Sequence, residues 1–145
     1  MTSEPSSAVT GHCLCGAVSY RVETQKNEAD VCHCGMCRRW SAGPYIAFGH
    51  NGPVAFSGAE NIGVYKSSEW AERAFCKVCG SPLYYHLLGS EFYALSAGTL
   101  DDQARLSLSK QIFIDEKPDY YEFANDTPKL TGEEFIAAFQ AEGTE

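Results

Sequence analysis

The chain has 145 residues, enough for one domain with a buried core. Its net charge is −8, from 11 basic and 19 acidic residues with no long basic run, which argues against nucleic acid as a main partner. No apolar stretch approaches the roughly 20 residues that span a bilayer, and "MTSEPSSAVT" has no basic start or apolar run, so neither membrane nor signal peptide is expected and the cytoplasm is the expected location.

Residues 1–9, rich in Ser, Thr, Glu and Pro, read as a flexible tail, and residues 10–145 as a single domain without internal repeats. The stretch "AVSYRVE" alternates, with Val18, Tyr20 and Val22 on one face and Ser19, Arg21 and Glu23 on the other, as in a half-buried strand. The polar run "TQKNEAD" leads into "VCHCGMCRRW". Short aromatic or branched runs follow: "GPYIAFG", "NGPVAFSG" after an Asn51-Gly52-Pro53 turn, "IGVYKSS", "RAFC", "PLYYHLL", "FYALSAG" and "QIFIDE". This rhythm predicts a mainly β fold, a compact sandwich or barrel-like assembly rather than alternating β and α units. The one firm helix signal is terminal. In "TGEEFIAAFQA", Thr131 and Glu134 form a capping box, and Phe135, Ile136 and Phe139 recur at helical spacing to dock the helix on the sheet.

Seven cysteines fall into three groups: Cys13 and Cys15 in "HCLCG", Cys32, Cys34 and Cys37 in "CHCGMC", Cys76 and Cys79 in "FCKVCG". In a reducing compartment such spacing points to metal or catalysis rather than disulfides. A pair of cysteines with one or two residues between is half of a tetrahedral zinc site. The first and third groups then combine into a closed site of Cys13, Cys15, Cys76 and Cys79. Cys32, Cys34 and Cys37 remain as a compact tripod with an open fourth position. The other division, Cys13, Cys15, Cys32 and Cys34 against Cys37, Cys76 and Cys79, stays open but separates Cys37 from its neighbours. A glycine directly follows Cys15, Cys34 and Cys79 (Gly16, Gly35 and Gly80), where positive φ lets the chain turn its N–H groups toward the sulfurs.

A closed four-thiolate zinc is structural, whereas an open three-ligand zinc is how catalytic sites are built. Three thiolates make zinc a poor Lewis acid but suit a thiol substrate, held as its thiolate. Arg38 and Arg39 follow the tripod and are candidate partners for substrate carboxylates; a surface ion pair is the alternative for each. His12 and His33 are the candidates for closing a site as a fourth ligand. His50 and His86 read as ordinary strand or surface residues, and Trp40 and Tyr45 as core or pocket wall. There is no Ser-His-Asp pattern, carboxylate pair, phosphate loop or dinucleotide fingerprint.

"GHCLCGAVSY", "CHCGMCRRWSAGP" and "FCKVCGSPL", in this order between Gly11 and Ile114, resemble the glutathione-dependent formaldehyde-activating enzyme family, which shares its domain with centromere protein V. The resemblance implies a β-rich fold with two zinc ions per chain, a structural one on Cys13, Cys15, Cys76 and Cys79 and a catalytic one on Cys32, Cys34 and Cys37. It implies addition of a small thiol, glutathione, to formaldehyde or a related aldehyde, a carbon–sulfur lyase by the reverse direction. Where members carry a His and then a Trp, this chain has Gln111 and Tyr120 nearby. Two rivals stand beside this expectation. One is a non-catalytic zinc module that binds a ligand or protein; the other is an iron–sulfur protein, which lacks support from any ferredoxin-like cysteine run.

Overall fold

The computed structural model describes residues 8–142, so most of the tail expected over residues 1–9 lies outside the described residues. Ala8 and Val9 instead open the first strand, and Val9 is buried. The strands in chain order are β1 (Ala8–His12), β2 (Ser19–Glu23), β3 (Glu28–Cys32), β4 (Tyr45–Asn51), β5 (Ala55–Ser57), β6 (Ile62–Lys66), β7 (Ala71–Cys76), β8 (Pro82–Leu87), β9 (Phe92–Ser96), β10 (Ser107–Ile112) and β11 (Lys129–Leu130). Two helices accompany them, α1 (Gly35–Ser41) between β3 and β4, and α2 (Gly132–Glu142) at the end. The fold is mainly β, as the spacing of the short runs predicts. Among the described residues no helix is long and apolar enough to cross a membrane.

The strands form two layers. A small sheet has the order β1-β2-β5, and a large mixed sheet the order β11-β10-β3-β4-β9-β8-β7-β6. In the large sheet β10 runs parallel to β3 and to β11, while the other neighbours are antiparallel. Strand alternation divides the large sheet's side chains between two cores. One face carries Phe48, Ala74, Tyr84 and Leu95, packed against Val9, Val18, Tyr20 and Val22 from the small sheet and its approach. The other carries Tyr45, Ala47, Tyr85 and Ala94, packed against Trp40 and Cys37 of α1. The alternation of Val18, Tyr20 and Val22 thus fixes which side of the small sheet meets the core, and all three are buried.

The capping box forms. Glu134 N–H donates to Thr131 Oγ1 at 3.1 Å, and Thr131 N–H donates to Glu134 Oε1 at 2.8 Å. The apolar stripe is narrower than expected. Phe135 packs on Phe113 and Phe139 on Phe92, but Ile136 is 48% exposed because the helix lies on a sheet edge and buries only one narrow line. β3 and α1 are the elements that periodicity does not announce. β3 is short and half polar, and α1 is shorter than two full turns.

Candidate metal centres

Each outer cysteine pair sits at the tip of a β-hairpin, Cys13 and Cys15 between β1 and β2, Cys76 and Cys79 between β7 and β8. The two tips are built alike. Cys13 N–H donates to Val18 O at 3.0 Å, and Cys76 N–H to Ser81 O at 2.9 Å, each closing a loop of the same length. Gly16 (φ 82°) and Gly80 (φ 84°) turn the chain in the left-handed region, where a side chain would be strained. N–H groups then reach sulfur: Val18 to Cys13 at 3.4 Å, Val78 and Cys79 to Cys76 at 3.3 and 3.4 Å. Leu14 N–H crosses to Ser81 Oγ at 3.1 Å and ties one tip to the other.

These tips bring the four sulfurs of Cys13, Cys15, Cys76 and Cys79 within 4.8 Å of one another. Cys13 to Cys15 is 3.7 Å, and Cys15 to Cys76 is 3.8 Å. A tetrahedron with Zn–S near 2.3 Å has an edge of about 3.8 Å, so the donor set and its spacing fit a tetrahedral ion. Cys13 and Cys76 are buried in the core between the sheets, and Cys15 is exposed. The Ser81 hydroxyl, 3.2 Å from Cys79 Sγ, pulls that thiol down to about 5. His12 turns away from the tetrad, with Nδ1 2.7 Å from Cys13 O and Nε2 3.3 Å from an Asp101 carboxylate oxygen.

Cys32, Cys34 and Cys37 form the second group, again with all sulfurs within 4.8 Å. The division of cysteines preferred from the sequence is therefore the one the fold produces. Cys32 ends β3, Cys34 caps α1, and Cys37 lies in the first turn of that helix with its N–H 3.4 Å from Cys34 Sγ. Gly35 takes a helical position here rather than a left-handed one, and its N–H donates to Glu116 Oε1 at 2.8 Å. The tripod is packed among Tyr45, Trp40, Tyr85 and Ala94. Hydrogen bonds from the Cys32 and Cys37 thiols, the Cys37 N–H and the charge of Arg73 hold Cys34 far below the usual thiol range. Cys32 moves up in response to the same contacts and to its burial.

His33 is fully buried and does not join the tripod. Its Nε2 lies 2.8 Å from Gln111 Oε1, and its Nδ1 2.9 Å from the Tyr121 hydroxyl, while Gln111 Nε2 donates to Thr127 Oγ1 at 3.1 Å. Burial lowers its pKa, so the ring is neutral, donating to Gln111 and accepting from Tyr121. Gln111, singled out as a departure, is thus the buried residue that orients the histidine between two tripod cysteines. Tyr120 is 77% exposed. Of the two arginines, Arg38 turns to the backbone, donating through Nε to His33 O at 2.8 Å and through Nη2 to Glu116 O at 3.3 Å. Arg39 is exposed on α1.

One residue at the tripod escaped the sequence reading. Arg73, on β7, donates through Nη1 to Cys37 Sγ at 3.6 Å. In sequence it is a lone charge in a strand, and only the approach of α1 to β7 and β8 buries it. A cleft of about 360 Å³ lies between Ala42, Gly43 and Pro44 at the end of α1 and residues 120–123, walled by Tyr121, the partner of His33.

The β-rich fold thus gathers a four-thiol group and a three-thiol group, each with the spacing to hold a metal ion. The sequence profile of the glutathione-dependent formaldehyde-activating enzyme family matches residues 8–116, and the chain belongs to that family. It is 38% identical over 127 residues to an uncharacterised lyase of Schizosaccharomyces pombe, covering 87% of this chain and 93% of that one. A Halomonas elongata protein carrying the family's name is 28% identical over 123 residues, 77% of this chain and 78% of its own. A crystal structure of a Rhodobacter sphaeroides protein superposes with a TM-score of 0.55 at 30% identity, covering 63% of this chain and 87% of that one.

Proposed function

We propose that this chain is a zinc-dependent enzyme that adds a glutathione-like thiol to formaldehyde or a related small aldehyde, a carbon–sulfur lyase in the reverse direction. The observation that carries this reading is the three-thiol tripod, which has no fourth protein ligand among the described residues because His33 is held away by Gln111 and Tyr121. Cys32, Cys34 and Cys37 would hold a zinc ion, and Cys13, Cys15, Cys76 and Cys79 a structural one. The catalytic ion would supply an open position at which a thiol becomes more acidic.

The rest of the site suits a peptide thiol. The hydrophobic and aromatic walls from Trp40, Tyr45 and Tyr85 limit water around the sulfurs. The cleft against residues 120–123, walled by the His33 partner Tyr121, would give room for the body of the substrate. Arg39, exposed on the same short helix as Cys37, is the arginine with donors to spare for a carboxylate, since Arg38 already uses two on backbone carbonyls. In the reaction the S–C bond forms as the C=O π bond opens, and the thiol proton ends on the carbonyl oxygen. The cytoplasm is the compartment in which the seven thiols would stay reduced.

The test is exchange between glutathione, formaldehyde and S-(hydroxymethyl)glutathione, followed by NMR with zinc-replete protein. Exchange faster than in buffer, abolished by Cys34→Ser, is expected. Exchange equal to buffer at two zinc ions per chain would sink the reading.

A further inference from the structure

Among the described residues Arg73 is the only arginine or lysine that is buried, at 4% exposure. Among the described residues it forms no ion pair with a carboxylate. It stands on β7 opposite Tyr85 of β8, and points to the sheet face of Tyr45 and Ala94 rather than that of Ala74 and Cys76. Its guanidinium carbon lies 5.2 Å from the ring centres of both Trp40 and Tyr85. Two π faces attract a cation but do not neutralise it. Its Nε is buried without a hydrogen-bond partner. Burying a charge in apolar surroundings is costly unless an opposite charge meets it. The groups beside Arg73 that can carry negative charge are the tripod sulfurs, with Cys37 in direct contact.

We propose that Arg73 is the fixed counter-charge of the three-cysteine site, a positioning residue that renders a centre of three thiolates and one divalent ion electrically neutral inside an apolar pocket. This rests on the reading of Cys32, Cys34 and Cys37 as metal ligands. Three thiolates and a divalent ion leave one net negative charge, which the guanidinium cancels. The cancellation favours a divalent over a monovalent ion. It also lets the site accept an anionic fourth ligand, which would otherwise meet a centre already in excess of negative charge. The Trp40 and Tyr85 rings fix the guanidinium in place, so the compensation needs no rearrangement when a ligand arrives.

The experiment measures zinc per chain and second-site affinity, by competition with a chromophoric chelator, in wild type, Arg73→Met and Arg73→Lys. The same proteins loaded with Co²⁺ report thiolate coordination through the charge-transfer absorption. Wild type should hold two zinc ions. Arg73→Met should keep the four-cysteine zinc, which shows that it is folded, and lose affinity at the second site by about tenfold to a hundredfold, with a weakened Co²⁺ band. Arg73→Lys, which restores the charge without the planar stack, should recover most of both. Wild-type affinity and an unchanged Co²⁺ spectrum in Arg73→Met would overturn the proposal, as would an Arg73→Lys as weak as Arg73→Met. If Arg73→Met does not fold, Arg73→Lys decides alone: two zinc ions within about tenfold of wild-type affinity support the counter-charge, and one zinc overturns it. A wild type holding only one zinc would instead remove the metal reading beneath it.

Discussion

The two cysteine clusters solve the same electrostatic problem by different means. The tetrad draws its sulfurs from two similar hairpin tips, gives three of its sulfur contacts to backbone N–H groups, and leaves Cys15 in water. The tripod draws all three sulfurs from one strand end and one short helix, has a single N–H on sulfur, and faces a buried guanidinium. The tetrad lies in the core between the two sheets, and the tripod in the core on the far face of the large sheet. Backbone donors are fixed by the fold and suit a site that never changes its ligands. A side-chain cation beside an incomplete shell suits one whose fourth ligand comes and goes.

The sharpest way to break this comparison is to remove one sulfur from each side. Cys76 is fully buried and accepts two N–H groups. A structural zinc supplies roughly 10 kcal/mol, which is comparable to the whole stability of a domain, about 5–15 kcal/mol. Cys76→Ser should therefore leave the chain insoluble or unfolded by circular dichroism. Cys34→Ser should fold, melt close to wild type and keep one zinc ion by elemental mass spectrometry, while activity falls at least about a hundredfold. If both substitutions unfolded the chain equally, the division into a structural and a reactive centre would be wrong.

Much of this was legible in the sequence because it is local. A Cys-x-Cys or Cys-x-x-Cys pair needs only a turn to aim two sulfurs at one point, and Gly16 and Gly80 mark those turns. Alternation at Val18, Tyr20 and Val22 needs only the pleat of a strand. What stayed hidden depends on distant partners. β3 is identified by its pairing with β4 on one side and with β10, nearly 80 residues away, on the other. α1 starts at a cysteine cap, outside the Ser, Thr, Asp and Asn pattern that announces helices. His33 sits inside the tripod motif, yet its direction is set by Gln111 and Tyr121, 78 and 88 residues on. Arg73 reads as a solvated strand charge until three elements close around it.

Smaller effects sharpen the comparison by testing which cluster each neighbour serves. Gln111 supports His33 between Cys32 and Cys34, and its side-chain hydrogen bonds among the described residues go to His33 and Thr127 rather than to the tetrad. Gln111→Leu strands the buried His33 N–H and should cost about 1–3 kcal/mol in denaturant unfolding. The four-cysteine zinc should be retained, and any change in metal affinity confined to the second site. Equal loss of both ions would mean that the two cores unfold as one unit.

Thr131 provides the mildest probe. Its hydroxyl and the Glu134 carboxylate satisfy each other's N–H groups at the start of α2, and Thr131→Ala should cost about 1 kcal/mol. The helix rests on Phe113 and Phe92 rather than on any cysteine. One route nonetheless leads from it to the tripod, because Phe113 directly follows Ile112, which is paired with Cys32. Two zinc ions and unchanged turnover in Thr131→Ala, alongside the small loss of stability, would show that the sheet insulates the tripod from its edge. A drop in second-site affinity with the tetrad intact would show that α2 holds β10, and through it Cys32, in register.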